Sequence, residues 1–143
     1  MKKIIGVSGI LLVLFVTSAC GTKKLVCTST GTDIGKKNTI RMEVLFDGKK
    51  AKKINEKISF EFEEGYKDSV NTYYDVLKET YKEDTLGEGV TVKVTKGDSN
   101  IDVNLTIDVK AQQNADNASS EIDTSKTREE MKKEFESKGY TCK

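Results

Sequence analysis

The stretch VTVKVTKGDSNIDVNLTIDV, residues 90–109, decides the fold class. Val90, Val92 and Val94 alternate with polar residues, Gly97-Asp98-Ser99-Asn100 supplies turn chemistry, and Ile101, Val103, Leu105, Ile107 and Val109 alternate again. Period two with one apolar face marks two half-buried strands, and the turn between them makes an antiparallel hairpin. A second hairpin lies upstream. From Asn38 onward, Ile40, Met42, Val44 and Phe46 point one way while Thr39, Arg41, Glu43 and Leu45 point the other. Asp47-Gly48 offers the pair that tolerates positive φ in a tight turn. The return strand, about Lys50 to Phe62, shows its apolar face at Ile54, Ile58, Phe60 and Phe62. Leu25 to Thr30 adds a short β-prone segment closed by Gly31 and Gly35.

Between the hairpins the period changes. Tyr66, Val70, Tyr73, Tyr74, Leu77 and Tyr81 form one stripe of an amphipathic helix over roughly residues 67–83, and Gly87 and Gly89 stop it. Residues 111–125, AQQNADNASSEIDTS, are small and polar without a period, which predicts an exposed, mobile loop. Thr127 and Glu130 fit a capping box, in which hydroxyl and carboxylate satisfy free helical N–H groups. The short helix that follows presents Met131 and Phe135 and stops at Gly139, leaving Tyr140-Thr141-Cys142 for one β bridge. The order β-β-β-α-β-β-α predicts an α+β fold, an antiparallel sheet of about five strands with two helices packed on one face.

The chain has 143 residues, room for one domain. Its 24 Lys and Arg nearly balance 23 Asp and Glu, without the basic excess of a nucleic-acid binder. It contains no His, which removes the Ser-His and Cys-His nucleophile pairs and the commonest general base. An enzyme would then need two carboxylates brought together in a pocket, and the sequence places no such pair. No catalysis, cofactor or metal is expected.

The N-terminus carries an address. Lys2 and Lys3 precede an apolar run from Ile4 to Val16, followed by Thr17-Ser18-Ala19 and Cys20. A run this short falls below the roughly 20 residues of a membrane span, and the pattern is that of a secretion signal. With Cys directly after Ser-Ala, residues 1–19 resemble a bacterial lipoprotein signal. That resemblance implies cleavage before Cys20, acylation of its thiol by palmitate-type chains, and a membrane-held chain on the extracytoplasmic face, with 20–24 as linker and 25–143 as one domain. Two acyl chains give stable anchoring. Removing residues 1–19 takes two lysines and no acid, so 22 bases face 23 acids.

The other candidate features have plain structural readings. Asp98, Asn100 and Asp102 copy half of a calcium loop, but Val103 and Val109 stand where Gly and Glu belong, so they read as a turn and a strand's solvent side. Glu61 and Glu63 fall opposite Phe60 and Phe62, on a solvated face. Asn104 and Asn117 match a glycosylation pattern by chance. Tyr73 and Tyr81 read as core residues with rim hydroxyls, or as a ligand face. Charge segregates: residues 36–57 hold eight bases against three acids, and residues 58–85 hold eight acids against three bases. Those lysines either guard an edge strand and pair with the acidic segment, or face anionic headgroups or wall polymers.

The Cys20 signal, a strand carrying Cys27 soon after it, two hairpins around a helix, and the ending Met131-Lys132-Lys133-Glu134-Phe135 to Gly139-Tyr140-Thr141-Cys142-Lys143 resemble the YehR-like small lipoproteins of bacteria. The resemblance implies an α+β fold on the outer face of the membrane and supplies no catalytic residues. The function expected is that of a membrane-anchored, non-catalytic binding or structural module with a protein or cell-wall partner. The alternative is a small-ligand or metal-binding lipoprotein delivering cargo at the cell envelope, marked by a deep cleft lined by Tyr73, Tyr81 and convergent polar groups.

Once Cys20 carries lipid, Cys27 and Cys142 remain as an even pair in a compartment where disulfides persist. A bond between them would tie both ends of the domain to the sheet, with Cα atoms within about 7 Å. The other reading leaves one buried thiol and one on a loose tail.

Overall fold

The alternating segments pair as six antiparallel strands in a computed structural model, which describes residues 23–82, 86–113 and 122–143. They are β1 (Lys23–Asp33), β2 (Lys36–Asp47), β3 (Lys50–Phe62), β4 (Val90–Lys96), β5 (Asn100–Asp108) and β6 (Thr141–Cys142). The sheet order is β4-β5-β3-β2-β1-β6. Helix α1 (Ser69–Thr80) carries the chain from β3 across to β4, α2 (Val109–Gln113) follows β5, and α3 (Arg128–Ser137) precedes β6. The fold is α+β, with two main helices against the sheet. The signal of residues 1–19 and Cys20 lie outside the described residues, as do residues 114–121 of the expected mobile loop.

Several boundaries move for identifiable reasons. About five strands were expected and six form, because Thr141 and Cys142 add to the free edge of β1 opposite Thr28 and Cys27. The helix expected over 67–83 begins at Ser69, and Tyr66 sits instead in a short 3-10 turn, Glu64–Tyr66. Its ring lies against Gly35, whose φ of +70° closes the β1–β2 turn. Strand β5 stops one residue before Val109, since the Asp108 carboxylate accepts from the N–H groups of Lys110 and Ala111 and turns the chain into α2. Residues 111–113 therefore close a helix rather than open a loop. The capping box forms as expected: Thr127 accepts from the Glu130 N–H, and Glu130 accepts from the Thr127 N–H.

Strand β3 hides one irregularity. The register shifts between Leu45 and Phe46, so Leu45 faces Lys53 while Phe46 faces Ala51. The extra residue turns both Ala51 and Ile54 inward although they are three apart, and both are buried.

The helix-covered face holds two hydrophobic clusters rather than one. Under α3, Met131 and Phe135 meet Leu25, Val44, Phe46 and Ile54. Under α1, Val70 and Leu77 meet Phe62, Ile101, Val103 and Leu105. Fully burying side chains such as Phe46 or Ile101 stabilises by roughly 1.5–3 kcal/mol each. The opposite face is polar. Across it runs the row Thr28, Arg41, Lys57, Asn104, Lys93, each directly opposite the next. Arg41 beside Lys57 is a like-charge pair, offset by Glu43 at 3.7 Å from Arg41 and Asp102 at 3.1 Å from Lys57.

Candidate functional site

Between the two clusters the helix-covered face opens into a cleft of about 530 Å³. Its floor follows from sheet register. Cys27, Met42, Glu56, Leu105 and Val92 stand directly opposite one another across five strands, and the middle three, Met42, Glu56 and Leu105, line the cleft. Four are apolar and the middle one is a glutamate. Leu86, Ile107, Ile122 and Phe135 add apolar walls, while Tyr81, Tyr140, Lys138 and the buried Gln112 bring polar atoms to the lining. The volume and mixed lining are those of a small-molecule site.

Each polar group is set by a different element. Tyr81 is the C-cap residue of α1, held by its N–H donating to the Leu77 carbonyl. Tyr140 follows the C-terminal turn of α3, its N–H donating to the Phe135 carbonyl and its ring 5.6 Å from the Phe135 ring. Both phenols are raised above the ordinary tyrosine value, first by burial and second by the nearby Glu56 charge. Glu56, Tyr81 and Tyr140 thus share the lining of one cleft. Lys138 is drawn to the Glu134 carboxylate at 2.8 Å, and Lys126 reaches the same group at 2.7 Å. Those two ammonium groups hold the Glu134 carboxyl below the usual carboxylate range.

The two tyrosines expected on a ligand face part company. Tyr81 lines the cleft. Tyr73 packs edge-on against Phe60 and Phe62, at 5.3 and 5.6 Å between ring centres, with the Lys36 ammonium 5.2 Å from its own ring centre. Tyr73 belongs to the cluster under α1. Glu56 and Tyr140 were not singled out from sequence. The signal for Glu56 was present: in the inward row 54, 56, 58, 60, 62 it is the one charged residue among Ile54, Ile58, Phe60 and Phe62. Tyr140 offered no such pattern, being a single residue after a helix stop.

The remaining candidates resolve simply. Cys27 and Cys142 are bonded, with Cα atoms 4.1 Å apart. The pair sits where β6 meets β1, flanked by Val26 and Lys143, which exchange N–H···O bonds of 3.1 and 2.8 Å. Glu61 is exposed, and Asp102 accepts from Ser59 at 2.6 Å and pairs with Lys57. Among the described residues no cluster of three or more acids or cysteines is placed to hold a metal. The lysines of residues 49–53 do not guard an edge, because β2 and β3 lie inside the sheet.

No family model matches the chain, and no curated protein matches it. Among solved structures it is similar to the NMR structure of a protein from Streptococcus pneumoniae TIGR4. The TM-score is 0.52 at 10% identity, covering 100% of this chain and 98% of that one. At that identity the likeness concerns the fold alone.

Proposed function

We propose that this chain is a lipid-anchored, extracytoplasmic binding module of the YehR-like kind, without catalytic activity. Its cleft holds a small ligand with an apolar body and a cationic or hydrogen-bond-donating head. The observation that carries the reading is the Met42, Glu56, Leu105 row. A carboxylate set in an apolar floor between two phenols suits a positive or N–H-bearing group, with greasy walls for the rest of the molecule. The anchor reading rests on the pattern of residues 1–19 and on Cys20 as acceptor. The Cys27–Cys142 bond supports an oxidising compartment, and the Gly139 to Lys143 tail supports the family. Among the described residues lining the cleft, Glu56 is the one carboxylate. That suits binding better than two-acid catalysis.

The test uses phenethylammonium as probe and the ring signals of the five tyrosines in NMR as readout. Tyr81 and Tyr140 should shift saturably with a Kd at or below about 1 mM, and Glu56→Gln should weaken binding about tenfold, while Tyr66 and Tyr74 stay still. Equal shifts at all tyrosines, or none, refute the cleft as a ligand seat.

A further inference from the structure

The strands bring one end of the sheet to a strongly uneven composition. At that end lie the start of β1, the β2–β3 turn, the start of β3 and α2, which together carry Lys23, Lys24, Lys49, Lys50, Lys52, Lys53 and Lys110. The acids there are Asp47, Glu88, Asp108 and Glu43, the last paired with Lys24 at 2.7 Å, giving a net of +3. Asp108 is exposed and accepts from the N–H groups of Lys110 and Ala111 at the start of α2. Lys49, Lys50, Lys52 and Lys53 have no ion-pair partner among the described residues. A shallow depression of about 460 Å³ runs between Lys50, Lys52 and Lys110, with Asp47 and Asp108 on its wall. The far end carries Asp33, Glu61, Glu63, Glu64, Asp68 and Asp98 against Lys36, Lys37, Lys67 and Lys96, a net of −2. Much of it is internally paired, as in Lys36–Asp33 and Lys67–Glu64.

The direction of β1 gives this polarity a meaning. Lys23 stands opposite Phe46, one residue before the Asp47-Gly48 turn. Cys20 lies three residues before Lys23, a span of at most about 10 Å when fully extended. An anchor there keeps the lysine-rich end within about one Debye length of the headgroups and the acidic end away from them.

We infer that the β2–β3 turn and its neighbours form a membrane-facing surface, and that Lys49, Lys50, Lys52 and Lys53 dock it on anionic phospholipid headgroups. The inference rests on the anchored reading for its geometry and adds an orientation to it. The occupant is the bilayer rather than a wall polymer, because so short a tether holds this end at the bilayer. Docked this way, the sheet stands on end, with the cleft on its side and open to the extracytoplasmic space. Each lysine that reaches an anionic surface strengthens binding by about fivefold.

Two measurements separate this inference from the anchor. In the first, the chain from residue 20 onward, which holds every described element, carries Cys20→Ala and is sedimented with phosphatidylglycerol or phosphatidylcholine vesicles. It should bind only the anionic vesicles, release in about 0.5 M salt, and lose at least about fiftyfold in partitioning when Lys49, Lys50, Lys52 and Lys53 are changed to Glu. Lys37→Glu with Lys67→Glu at the far end should leave partitioning unchanged. In the second, the processed native protein is weighed for acylation at Cys20 and its lysines are labelled on both vesicle types. Labelling of residues 49–53 should fall several-fold on the anionic surface and that of Lys37 should not. An unacylated Cys20 with vesicle binding intact removes the anchor and leaves the docking surface. Equal behaviour on both lipids, or binding to purified teichoic acid with none to vesicles, overturns the inference.

Discussion

Breaking the Cys27–Cys142 bond should remove a large part of the domain's stability. The perturbation is Cys27→Ala with Cys142→Ala, which leaves no thiol to mispair. The bond closes a sequence separation of 115 residues, for which loop-closure entropy gives about 5 kcal/mol. The loss arises in the unfolded chain, which gains the freedom the cross-link denied it. The folded side loses less: β6 keeps its mutual bonds between Val26 and Lys143, and two small alanines leave a modest void beside Leu25 and Phe135. Against a total of about 5–15 kcal/mol for a domain, the double variant should be marginal. Urea unfolding is the assay. With a slope of about 2 kcal/mol per molar, the midpoint should fall by about 2.5 M. Amide exchange adds a second reading, because a global effect must lower protection at Val103 on β5 as much as at Val26 on β1. A midpoint shift under about 0.5 M, or weakened protection confined to β1 and β6, would refute the argument and make the bond a local clasp.

Two further outcomes can be read directly. Gly48→Ala should cost about 1 kcal/mol, since its φ of +62° is strained for alanine but nothing lies within 4 Å. Gly35→Ala, at φ +70°, should cost about 2–3 kcal/mol because its Cβ would also displace the Tyr66 ring, and equal losses at the two glycines would contradict the Tyr66 seat. Tyrosinate absorbance should show Tyr81 and Tyr140 ionising above the usual value of about 10, with Glu56→Gln bringing both part of the way down. Phenols raised in the folded state contribute stability that is intact below the unfolded value and lost as pH climbs through the folded one, so unfolding should become easier only above about pH 10. Titration of all five tyrosines in a single unshifted step would count against the burial of these two.

Local pattern was enough for what depends on one strand or one helix at a time. Residues 90–94, 101–107 and 40–46 alternate because a sheet with one buried face demands period two. The Thr127 and Glu130 capping box is a contact between residues three apart, whereas the Cys27–Cys142 pairing was one of two readings in the sequence and is settled by the approach of β6 to β1. What depended on assembly was hidden. The bulge that turns Ala51 inward beside Ile54 exists only against β2. Tyr66 belonged to the helical stripe by spacing, but the approach of Gly35 drew its ring into a turn. Glu56 interrupted an apolar row, yet that it faces Met42 and Leu105 at the floor of a cleft follows from the β2-β3-β5 order. The lysines of the β2–β3 turn were countable in the sequence, but their place inside the sheet, beside the start of β1, came from strand order alone. Composition and periodicity are properties of single segments, whereas neighbours across a sheet are set by which strands pair, and pairing is chosen by the whole core at once.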